Sequence, residues 1–101
     1  MKKIINGKKY NTETAREMGS YWNGCGRGDF NFYAETLYKK KTGEFFIHVD
    51  GGANTSAAVH KYGAWYGGEK IIPVSEEKAK KWGEKYLSVD EYEKIWGIVE
   101  E

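Results

Sequence analysis

The chain has 101 residues, with Trp 4, Tyr 8 and Phe 4, one Cys, two His and a formal net charge of +1. A lone cysteine excludes an internal disulfide and suits a reducing compartment. The near-neutral charge argues against a generally basic nucleic-acid binder, and no apolar run is long enough for a signal peptide or a membrane span. This length predicts one domain, 1–101, which buries roughly two-thirds of its unfolded surface without staples.

Lys3-Ile4-Ile5 and Lys8-Lys9-Tyr10 flank Asn6-Gly7, a strong local hairpin signal because both turn residues accept positive φ. The stretch from Asn11 to Gly19 predicts a helix of about two turns. Asn11 or Thr12 would cap it, Glu13 would sit in its first turn and Gly19 would stop it. Residues 20–29 read as a loop in which Gly24, Gly26 and Gly28 alternate around Cys25 and Arg27. Phe30 to Lys39 alternates as a strand, with Phe32, Ala34, Thr36 and Tyr38 on one face and Tyr33, Glu35 and Leu37 on the other. A turn at Lys40-Lys41-Thr42-Gly43 leads into a second strand over 44–50.

Gly51 to Ser56 is a break. Residues 57–66 read as one helical turn followed by a strand containing Trp65, and 69–74 as a short strand that Pro73 places at an edge or near its end. Ser75 caps a first carboxyl-terminal helix. Ser88 and Glu91 form a capping-box pattern for a second, which Gly97 ends. The predicted fold is α+β. A small antiparallel sheet is centred on a 31–50 hairpin, one short helix precedes it, and two short carboxyl-terminal helices cover one face. The other face is expected to expose Tyr33, Phe46 and His48.

The aromatic surplus points to binding, since Tyr and Trp anchor interfaces. Tyr21, Trp22 and Arg27 are of the types enriched at interface centres, although Tyr21 and Trp22 also suit the core. Lys39-Lys40-Lys41 at a hairpin tip could meet nucleic-acid phosphates or simply keep the turn solvated. Residues 1–50 carry +3 and 51–101 carry −2, a bias that would either orient the protein on a charged partner or be ordinary surface. The glycine loop lacks the strand-to-helix context of a phosphate cradle. Cys25 has no neighbouring base, His48 with Asp50 lacks a nucleophile, and two histidines are too few for a Cys/His metal site. No cofactor, metal or catalytic set is therefore expected.

The motif string taken together carries a resemblance. It runs through Ile5-Asn6-Gly7-Lys8-Lys9-Tyr10-Asn11-Thr12, Glu35-Thr36-Leu37-Tyr38 and Lys41-Thr42-Gly43-Glu44-Phe45-Phe46. It continues in Gly51-Gly52-Ala53, Gly67-Gly68-Glu69-Lys70-Ile71-Ile72-Pro73 and Glu91-Tyr92-Glu93-Lys94-Ile95-Trp96-Gly97. The pattern resembles small proteins carried by phages and integrative elements of Gram-positive bacteria, a setting that includes anti-CRISPR proteins. The resemblance implies a non-enzymatic inhibitor in the bacterial host cytoplasm. It would bind a CRISPR effector nuclease of type II, or its guide-RNA complex. The resemblance transfers no site motif, and Tyr21, Trp22, Arg27, Lys39, Lys40 and Lys41 are the expected contacts on residue type and position alone. The alternative is a nucleic-acid-binding accessory or regulatory protein of a mobile element, which the neutral charge disfavours. Trp65-Tyr66 and the edge near Pro73 leave a homodimer open.

Overall fold

In this computed structural model, which describes residues 1–101, Asn6 and Gly7 take φ of 51° and 77°. That is the left-handed pair a two-residue primed turn needs. They join β1 (Lys2–Ile5) to β2 (Lys8–Asn11) as an antiparallel hairpin.

The helix expected over 11–19 does not form, and both helices of the fold lie at the carboxyl end. Asn11 does cap a turn: its Oδ1 accepts from the Glu13 N–H at 3.0 Å, and its carbonyl accepts from the Ala15 N–H at 3.0 Å. The turn stops there, and Arg16–Trp22 extends as β3 against β4 (Tyr33–Lys39). An isolated two-turn helix carries an unfavourable nucleus. A strand satisfies the same backbone groups on a neighbouring ladder and sends Met18 and Tyr21 into the core. The expected loop at 20–29 thus begins only after Trp22.

β4 turns through 40–44 into β5 (Phe45–Gly51), and the two pair from Tyr33↔Gly51 to Lys39↔Phe45. The helical turn expected near 57 is replaced by a second small hairpin, β6 (Val59–Lys61) and β7 (Ala64–Tyr66), turning at Tyr62-Gly63. β8 (Gly68–Val74) then pairs with β5, giving a four-stranded sheet of order β3-β4-β5-β8. Pro73 therefore stands on an edge strand, where its missing N–H costs no ladder bond.

Ser75 accepts from the Lys78 N–H and opens α1 (Glu76–Tyr86). Ser88 and Glu91 complete a capping box at α2 (Val89–Trp96). No helix is long and apolar enough to cross a membrane.

Cross-strand partners share a face, and the two faces carry two cores. Under the helices lie Leu37, Phe45, Ile47 and Val49 with Ala57, Ala79 and Trp82. The Trp82 indole N–H donates to Glu35 Oε1 at 2.9 Å, and the Tyr33 hydroxyl donates to Glu35 Oε2 at 2.8 Å. Burial, reinforced by that bond to Glu35, pushes the Tyr33 phenol up to about 12. Tyr33 thus belongs to the helix-covered side and is not exposed on the other.

Phe46 is corrected in the same way. It is 0% exposed, because the β1–β2 hairpin lies over its half of the second face. Tyr10 meets the ring edge-on at 5.5 Å and Tyr38 stacks on it at 5.1 Å. His48 faces the uncovered half, where its Nε2 lies 2.8 Å from Glu69.

Candidate interaction surfaces

The sheet register puts different chemistry at its two ends. One end is the row Tyr33, Gly51 and Gly68; the loop 23–32, the loop 52–58 and the β6–β7 hairpin all emerge there. The loops lock together by hydrogen bonds: the Asn54 N–H donates to the Phe30 carbonyl at 2.9 Å, and Asn54 Nδ2 to Asn31 Oδ1 at 3.1 Å. Glycine is required at position 52, because a Cβ there would sit 2.5 Å from the Phe30 carbonyl oxygen. Asn23 ties the other side, accepting from the Cys25 and Tyr33 N–H groups and donating to the Asn31 carbonyl.

This end displays large aromatic side chains. Trp22 is 57% exposed, Phe30 69%, Trp65 62% and Tyr62 98%, and Tyr66 is about half exposed. The His60 ring lies 5.0 Å from that of Trp65 across the small hairpin. Tyr62 holds φ 52°, a left-handed backbone that is a genuine outlier for a bulky residue. No burial offsets that strain, since the side chain points wholly into solvent.

A polar groove of about 440 Å³ runs beside this end on the uncovered face, lined by Arg27, Phe32, His48, Asp50 and Glu69 with the Gly51–Gly52 and Gly67–Gly68 backbones. The Arg27 guanidinium reaches Asp50 at 2.9 Å and covers the Phe32 ring at 5.2 Å. The Arg27–Asp50 bond and the Asn23 and Asn31 bonds fold the 23–32 loop back onto the sheet.

The opposite end is basic. Arg16 stands directly across from Lys39 on the β3–β4 ladder, and Lys40 and Lys41 follow in the turn. Glu44 is bound by Lys8 Nζ at 2.7 Å and Lys40 Nζ at 3.1 Å. Those hydrogen bonds, Lys8 first, pull its carboxyl down to about 2. Lys40 also sits 4.4 Å above the Tyr10 ring, so this lysine braces the turn against β2. Arg16, Lys9, Lys39 and Lys41 make no ion pair.

The six residues singled out in the sequence therefore divide between the ends. Trp22 and Arg27 lie at the aromatic end. Tyr21 is at that side too, but it stacks on Tyr86 at 4.3 Å beneath the helices. Lys39, Lys40 and Lys41 lie at the basic end. Sequence reasoning missed Tyr62 and Phe30 at one end and Arg16 and Lys9 at the other. Tyr62-Gly63 between two three-residue strands was a turn signal weakened by having Tyr where Asn is usual. Arg16 was hidden inside the expected helix.

No group of three or more His, Cys, Asp or Glu side chains is placed to hold a metal ion. No protein-family model, curated protein or solved structure matches the chain.

Proposed function

We propose that the protein is a non-enzymatic inhibitor of a CRISPR effector nuclease, of the type II class, and docks on it through the aromatic end. The sequence resemblance to small mobile-element proteins supplies the class of target. The observation that carries docking is the gathering of Trp22, Phe30, Tyr62, Trp65 and Tyr66 at one end of the sheet, all about half exposed or more. Truncation of such anchors at an interface centre typically costs 2 kcal/mol or more each. Trp65 and Tyr62 on a projecting hairpin suit insertion into a cleft, with Arg27 at the rim.

The test is DNA cleavage by purified effectors, with the protein added before or after guide loading. Inhibition in both orders places the block at target binding or cleavage; inhibition only before loading places it at guide assembly. Trp65→Ala and Tyr62→Ala should each weaken inhibition at least tenfold while leaving the melting temperature within a few degrees. Complete cleavage by every effector at saturating protein overturns the reading.

A further inference from the structure

We infer that the basic end is a binding surface for the phosphodiester backbone of a nucleic acid, with Arg16, Lys39, Lys41 and Lys9 as its cations. The inference stands on the geometry of that end and is independent of whether the aromatic end docks on an effector.

The first ground is the placement of like charges. Directly opposed cations on an antiparallel ladder destabilise it, yet Arg16 faces Lys39 with no carboxylate in reach of either. Residues 1–17 and 39–44 together carry eight basic and three acidic side chains, whereas 76–101 carry eight acidic and five basic. The amino-terminal positive excess is thus folded into one region and held apart from the acidic helices. The only carboxylate inside the cluster that forms ion pairs, Glu44, is already shared by Lys8 and Lys40.

The second ground is shape. The cations line two adjoining shallow grooves. One, of about 420 Å³, is bounded by Thr14, Ala15, Arg16 and Lys39–Lys41. The other, of about 200 Å³, is bounded by Lys9, Asn11, Thr14, Lys40, Lys41 and Thr42. The exposed Thr14 hydroxyl beside Arg and Lys is of the usual phosphate-contacting kind, while Asn11 is buried and the Thr42 hydroxyl donates to Glu44. Lys40, fixed between Glu44 and the Tyr10 ring, holds the turn that presents its neighbours on either side. Ala15 is the only apolar side chain in either groove. Beside them the one large exposed apolar residue is Ile4, across the ladder from Lys9, fewer than the several that a membrane-inserting basic patch carries.

The experiment is fluorescence anisotropy of the full-length protein with a labelled 20-nucleotide RNA and a 20-base-pair DNA, without any effector. Four neutralised phosphates give a slope of log K against log salt of about −2.8 for the single strand and about −3.6 for the duplex. Affinity should therefore fall about 50- to 150-fold between 50 and 200 mM salt. The double variant Lys39→Gln/Lys41→Gln should reduce the slope by about 1.4 to 1.8. Its melting temperature should stay within a few degrees of the parent's, since relief of the Arg16–Lys39 repulsion is set against loss of the Lys39 contact over the Phe45 ring. Lys78→Gln/Lys81→Gln on the first helix should leave the slope unchanged.

Lack of binding at 50 mM salt overturns the inference, as does a slope that the Lys39/Lys41 variant leaves intact. Tighter binding to phosphatidylserine vesicles or to polyglutamate than to either nucleic acid overturns it in favour of those partners. A nuclease assay that shows no inhibition leaves these measurements untouched, so the two proposals fail separately.

Discussion

Tyr62→Asn should make the protein more stable and less functional. Tyr62 occupies φ 52° in a two-residue turn whose second residue, Gly63, is at 77°. A left-handed backbone costs an ordinary L-residue roughly 1–2 kcal/mol, and Asn much less. With Tyr62 98% exposed, no buried area is lost on substitution. The expected gain is about 1 kcal/mol, the strain relieved. Since β6 and β7 contact chiefly each other, the gain should appear first as local protection. Amide hydrogen exchange in 59–66 should slow about fivefold, the factor equivalent to about 1 kcal/mol. If the hairpin melts with the rest, the melting temperature should also rise by about 4–8 °C. Inhibition of the effector should weaken at least tenfold in the same variant. Unchanged or reduced protection would refute the strain argument. Raised protection with full inhibition would remove Tyr62 from the docking surface.

Two further predictions concern the scaffold. Gly83→Ala replaces a poor helix former inside α1, a change worth roughly 1 kcal/mol of propensity. Its Cβ, however, would lie 2.8 Å from Trp96 Cζ3 and 3.1 Å from Tyr92 Cδ2. Overpacking against rigid rings typically costs 1–3 kcal/mol, so the melting temperature should fall, and a rise would show that α2 yields freely. The Glu44 carboxyl is held at about 2 by Lys8 and Lys40. Its folded value lies below its unfolded one, so its contribution is complete above about pH 4.5 and disappears as pH falls toward 2. In urea unfolding, the gap between the parent and Glu44→Gln at pH 7 should shrink steadily as pH falls from about 4.5 toward 2; a gap at pH 2.5 as large as that at pH 7 would refute the assignment.

The strands at 33–39 and 45–51 were legible because both faces of the sheet needed large side chains in alternation, and alternation survives in sequence. Both C-terminal helices were legible from their serine caps and the Gly97 stop. The segment 11–19 was misread because its capping signals were real but local. Asn11 does accept from the Glu13 N–H, and the ladder to β4 then outweighs two turns of weak helix. Phe46 was misplaced for a related reason. Alternation reports that Phe46 and Phe45 face opposite ways, but not that a hairpin 35 residues earlier returns to cover one of those faces. The candidate contacts were partly legible as residue types. Their grouping into two ends depends on register, which brings Arg16 beside Lys39 and folds Arg27 onto Asp50.

That grouping has a mechanical consequence. The strands between the two ends are tied by antiparallel ladders, with one register shift between Glu17 and Gly19, and by a core on one face and on half of the other. Glu35 links β4 to α1 through Trp82. Such a sheet does not bend readily, so its two ends are held at a fixed separation within a molecule 51 Å long, and the β6–β7 hairpin, which contacts chiefly itself, extends from one of them. If both ends engage one assembly, a rigid spacer adds the second contact at a high effective concentration only when the spacing matches the sites. Loss of the basic end would then weaken binding to a nucleic-acid-loaded effector more than to the empty protein. Loss of the aromatic end would weaken both alike. Comparing Lys39→Gln/Lys41→Gln with Trp65→Ala on the loaded and empty effector separates a two-ended clamp from two independent surfaces: in the clamp only the lysine variant discriminates between the two forms, and equal losses on both forms exclude it.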